Sequence, residues 1–165
     1  MNSPAPFDLS NILLKEYFFI EFAILNNAPE LIQSPVPMIA TRFERTMATG
    51  FDLEESLIQI ELKLVITPRG ADKELLPIQG KFHLVLQFTV LGLADQLETD
   101  PITGRLHPNR ELIYTVASLA YSTARGILAE RVRDTPLSYF SLPAVDVRSL
   151  AWNSGSPPSN AMPSG

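Results

Sequence analysis

Between residues 56 and 67 the chain reads SLIQIELKLVIT, with Ile58, Ile60, Leu62, Leu64 and Ile66 on one side and Gln59, Glu61, Lys63 and Thr67 on the other. A period of two places these apolar side chains on one face of a half-buried strand. The same period returns over residues 80–91, where Phe82, Leu84, Leu86, Phe88 and Val90 alternate with Lys81, His83, Gln87 and Thr89 until Gly92. The intervening segment carries Pro68, Gly70, Asp72 and Pro77, so the two strands are expected to form an antiparallel hairpin with a loose loop. Upstream, residues 36–48 predict another strand, with Ile39, Thr41, Phe43 and Met47 opposing Ala40, Arg42, Glu44 and Thr46, and a turn at Gly50 and Asp52.

The first strand, residues 13–25, differs in kind. Strict alternation sets Phe18, Ile20, Phe22 and Ile24 on one face, while Tyr17, Phe19 and Leu25 interrupt the other beside Lys15 and Glu21. Both faces therefore call for cover, and a face that the chain cannot cover itself must meet a second copy, a ligand or a client.

Past residue 109 the period changes to that of a helix. Ile113, Val116, Ala117, Ala120, Ala124, Ile127 and Leu128 follow the spacing of an amphipathic helix from Asn109 to about Arg133. Asn109 suits the N-cap, Arg131 and Arg133 suit the C-terminal dipole, and Asp134-Thr135-Pro136 ends the run. Ala117, Ala120 and Ala124 admit close approach by either the sheet or a second copy of the helix. Residues 144–152 suggest a short C-terminal helix. Strands followed by helices define an α+β fold, a four-stranded antiparallel sheet with a long amphipathic helix. Residues 1–12 are expected to be a flexible lead-in, residues 13–152 the single domain, and residues 153–165 a disordered tail with almost nothing to bury.

Composition narrows the chemistry. The chain has 165 residues, the size of one domain, and 13 Lys and Arg against 18 Asp and Glu give a net charge of -5, which argues against nucleic acid as a partner. Cysteine is absent, so disulfides, thiol catalysis and thiolate metal sites are ruled out. The N-terminus lacks the basic and apolar regions of a secretory signal, and no stretch approaches the roughly 20 apolar residues of a membrane helix, so a cytoplasmic location without membrane insertion is expected.

Candidate chemistry is sparse. His83 lies on the polar face of its strand without the spacing of a metal ligand, and His107 beside Pro108 reads as part of a turn. The carboxylates Asp52, Glu54 and Glu55, and Asp95, Glu98 and Asp100, lack calcium-loop register. Neither a nucleophile elbow nor a phosphate-cradling glycine loop is present. No catalytic residue, metal or cofactor is expected, and the reading is of a non-enzyme whose resource is apolar surface.

Three segments then resemble the SecB family of export chaperones. Asn27-Ala28-Pro29-Glu30-Leu31-Ile32-Gln33 is similar to that family's crossover segment after the first strand, and Phe88-Thr89-Val90-Leu91-Gly92-Leu93 to the end of its last strand. The third comprises the long helix with Tyr121, then Pro136 and Leu142-Pro143-Ala144-Val145-Asp146-Val147-Arg148-Ser149-Leu150. The resemblance implies an ATP-independent chaperone that holds unfolded or pre-export polypeptides in apolar grooves of a dimer or tetramer. Tyr17, Phe19, Leu31, Ile32, Met38 and Phe43 are the expected client contacts, and Phe22, Ala117, Ala120 and Ala124 the expected contacts between copies. Aligned on Asn27-Ala28-Pro29, Ile20 and Ile24 stand where the family carries the acidic residues that dock an export motor, so a single dedicated client, as for toxin-antitoxin-associated relatives, is an alternative. The rival readings are an assembly subunit with one fixed partner and a small-molecule carrier or isomerase-like enzyme with an internal cavity.

Overall fold

The computed structural model describes residues 7–27, 40–150 and 152–153. Strands β1 (Ile12–Asn26), β2 (Ala40–Asp52), β3 (Leu57–Arg69) and β4 (Ile78–Val90) come first, followed by a small hairpin of β5 (Leu97–Thr99) and β6 (Leu106–Pro108). Helix α1 (Arg110–Arg131), a 3-10 turn at Val147–Ser149 and β7 (Trp152–Asn153) follow among the described residues. The main sheet runs β1-β4-β3-β2-β7, antiparallel except where β7 lies parallel to β2.

β3 and β4 pair in the anticipated hairpin, from Leu57 opposite Thr89 to Ile66 opposite Gly80. Because paired residues share a face, Ile58, Ile60, Leu62, Leu64 and Ile66 join Phe82, Leu84, Leu86, Phe88 and Val90 in one buried layer. Helix α1 packs over this layer through Leu112, Val116, Ala117, Ala120, Tyr121, Ala124 and Leu128. The alanines bring its axis close to the sheet. Gly80 serves the same closeness farther along, since a Cβ there would stand 2.6 Å from Leu137 Cδ1 and 2.8 Å from the Phe82 ring.

The helix starts where the sequence indicates. Asn109 caps it by accepting the Leu112 amide at 2.8 Å, and its own side-chain amide donates to Gln96 Oε1 at 2.9 Å. Midway along the helix the Tyr121 hydroxyl donates to the Pro143 carbonyl at 2.9 Å, pinning the C-terminal segment across the helix. Burial raises the pKa of this hydroxyl above its ordinary value.

Several expectations are corrected. Gly50 lies inside β2 opposite Gln59 rather than in a turn; the turn comes later, where Asp52 accepts the amides of Glu54 and Glu55. The short helix foreseen over 144–152 is only the 3-10 turn followed by β7, since Asp146 caps a single turn before Leu150 returns to extended backbone. Ala117, Ala120 and Ala124 are fully buried within one chain, so they face its own sheet and offer no surface to a second copy. Residues 9–11, foreseen within the lead-in, form a 3-10 turn capped by Asp8, and β1 begins at Ile12. The loop after β4 contains the β5–β6 hairpin, whose turn is held by Asp100 accepting the Ile102 and Thr103 amides.

Candidate functional site

β1 closes one end of the sheet order, hydrogen-bonded to β4 along one edge. Its register slips twice, between Leu14 and Glu16 and between Phe19 and Glu21. At each slip two steps of β1 match one of β4, as in a β-bulge, and side chains beyond it change faces. Tyr17 therefore pairs with Leu86, Phe19 with Leu84, Phe22 with Phe82 and Ile24 with Gly80, all on the helix side. Phe18 pairs with Val85 and Leu25 with Gln79 on the opposite, open side, beside Glu21 opposite His83. The expected division, with Tyr17 and Phe19 facing away from Phe22 and Ile24, is thus overturned.

Even so, this strand stays largely uncovered. Helix α1 sits over β3 and β4, and of the β1 side chains only Ile12 is buried. Leu14, Tyr17 and Phe22 remain exposed on the helix side, Leu13, Phe18 and Leu25 on the open side, and Ile20 projects at the second slip with 58% of its surface exposed. Phe19 is half-buried; its ring meets Phe22 edge-on at 5.2 Å, and Phe22 in turn rests 5.1 Å from the buried Phe82. These rings anchor the strand to the core while presenting their outer edges. The result is a continuous apolar margin, greasy on both faces, along an outer edge with which no further strand pairs among the described residues.

Elsewhere the open side is polar. His83 Nε2 lies 3.1 Å from Glu61 Oε2, Gln87 donates to Gln59 at 3.0 Å, and Arg42 pairs with Glu44 at 2.8 Å. His83 is spent in this network, and among the described residues no group of His, Asp and Glu side chains could hold a metal ion. A shallow depression lined by Arg42, Glu44, Val65, Thr67, Leu75 and Gln79 also lies on this side, and Gln79 is the cross-strand partner of Leu25.

The expected client contacts are not gathered into one place. Tyr17 and Phe19 share the β1 margin, whereas Phe43 occupies the helix side of β2, beyond β4 and β3, stacked 5.9 Å from Phe140. Leu31, Ile32 and Met38 lie outside the described residues. Leu13, Leu14, Phe18 and Ile20 belong to the margin but were not singled out; the run Tyr17-Phe18-Phe19-Ile20, which breaks strict alternation, is the sequence signal that marks them.

With this geometry in view, the fold can be compared with others. It is SecB-like. The SecB-like chaperone Rv1957 of Mycobacterium tuberculosis, solved in complex with a ChAD peptide from the HigA1 antitoxin, matches with a TM-score of 0.51 and 10% identity, covering 82% of this chain and 91% of that one. A protein of unknown function from Streptococcus agalactiae matches at a TM-score of 0.35 and 12% identity, over 81% of this chain and 96% of its own. No family model matches the sequence, and no curated protein does. Among the described residues no helix is long and apolar enough to cross a membrane.

Proposed function

We propose that the protein is a holding chaperone that works without ATP by binding unfolded polypeptide segments along the β1 margin. One observation carries this reading: a 15-residue edge strand keeps large apolar side chains exposed on both of its faces. An extended segment can add its backbone to the outer edge of β1 and lay alternate side chains against Tyr17 and Phe22 or against Phe18 and Leu25. Covering the exposed part of one such ring contributes about 2 kcal/mol before ordering costs, so several weak contacts are needed and sequence tolerance follows. The SecB-like fold supports the same reading at the level of architecture.

Self-association belongs to the proposal, with Phe22 at the contact. A second copy on one face of β1 would shelter that face and leave the other for clients. Coupling to an export motor forms no part of it. The Mycobacterium tuberculosis chaperone of this fold holds a peptide from one antitoxin, which favours, as the second reading, a single dedicated client over many. Co-purification separates the two, by many substoichiometric companions or one stoichiometric one.

The direct test is light scattering from an unfolded client diluted from denaturant, with and without a stoichiometric excess of the protein. Suppression by the unmodified chain and its loss in Tyr17→Asp/Ile20→Asp, both exposed positions, is the expected result. No protection by the unmodified chain would refute the reading. Phe19→Asp is a poorer probe, because Phe19 also packs against the core.

A further inference from the structure

We propose that the apolar β1 margin and the Phe43 ring on β2 select client segments carrying carboxylates, through arginines laid against phenylalanine rings. This rests on the holding function above and names its client class. Arg131, the last residue of α1, places Cζ 5.7 Å from the Phe19 ring centroid on the β1 side. Arg45 places Cζ 5.1 Å from the Phe43 ring on the β2 side, and its register opposite Leu64 sets it on the helix face. Both distances fall within cation–π range.

The charge of these two cations is not spent on an ion pair among the described residues, whereas Glu130 is bound to Arg133, Glu111 to Arg148 and Glu44 to Arg42. A guanidinium resting on a ring keeps its outer N–H groups free for bidentate contact with a carboxylate. A segment that seats an apolar side chain on Phe19 or Phe43 brings a neighbouring Asp or Glu within reach of Arg131 or Arg45. A Lys or Arg at that place meets an uncompensated like charge.

The test is fluorescence anisotropy with labelled peptides of one apolar sequence that differ only in carrying Glu, Gln or Lys at the same positions. Exposed ion pairs set the expected scale, so Glu peptides should bind about 1.5- to 5-fold tighter than Gln peptides for each pair formed, and Lys peptides weaker than both. High salt should erase the difference. Arg131→Gln with Arg45→Gln should bring the Glu and Gln peptides to equal affinity, and Arg131→Lys with Arg45→Lys should keep a preference for Glu. Equal binding of all three peptides by the unmodified chain overturns the inference while leaving the holding function standing. Failure of every peptide to bind overturns both. Equally tight binding of a polyglutamate lacking apolar residues also contradicts it, because charge alone would then suffice.

Discussion

β3 and β1 are both strands rich in large apolar side chains, and they meet opposite fates. In β3 every second residue from Ile58 to Pro68 is buried, whereas β1, two residues longer, buries Ile12 alone. Composition does not separate them; position and register do. β3 has a strand on each side and α1 above it, so its alternation translates directly into a core. Among the described residues β1 has a strand on one side only, lies outside the cover of the helix, and slips register twice, which spreads its apolar side chains over both faces. Apolar surface in the middle of the sheet is stability, while apolar surface at its margin is available for binding.

Substitutions should expose that difference most sharply where side-chain volume is lost. Leu62→Ala, at a fully buried site, should lower unfolding free energy by about 2–5 kcal/mol, while Ile20→Ala at the margin should change it by less than about 0.5 kcal/mol, both read from urea midpoints. Equal losses would mean that β1 is core after all. A smaller effect is expected at Gly80, where an added methyl meets Leu137 and Phe82: Gly80→Ala should cost about 1–3 kcal/mol unless the loop carrying Leu137 moves aside. Smaller still is Tyr121→Phe, which removes the hydroxyl bound to Pro143 and should cost about 1 kcal/mol. Burial raises the pKa of that phenol in the folded chain, so its contribution is complete below the ordinary tyrosine value and is lost as pH climbs through the raised one. Alkaline melting curves of Tyr121→Phe should therefore fall less steeply with pH than those of the unmodified chain.

Much of the inner architecture was legible in the sequence because period and position agree there. SLIQIELKLVIT and the residue 80–91 run keep an apolar residue at every second position from Ile58 to Ile66 and from Phe82 to Val90, with only Leu57, Val65, Val85 and Leu91 apolar on the other face, and the α1 spacing begins at a capping Asn109 and ends before Asp134-Thr135-Pro136. The β1 faces were not legible, since a bulge leaves no mark in a period-two count beyond the broken alternation of Tyr17-Phe18-Phe19-Ile20. Nor could spacing tell which neighbour the small stripe Ala117, Ala120 and Ala124 would meet; a tightly packed sheet and a second helix ask for the same side chains. Strand order was equally hidden. It is the placement of β1 at the end of the sheet, beside β4, that separates Tyr17 from Phe43.

Amide hydrogen exchange of the full chain with and without an excess of an unfolded client tests most directly whether β1 is where polypeptides are held. The account predicts that the client slows exchange across residues 12–26, with β3 and β4 amides already slow and unchanged. Protection appearing only on the polar open side of β2 and β3, or no change along β1 while the client is bound, would contradict it.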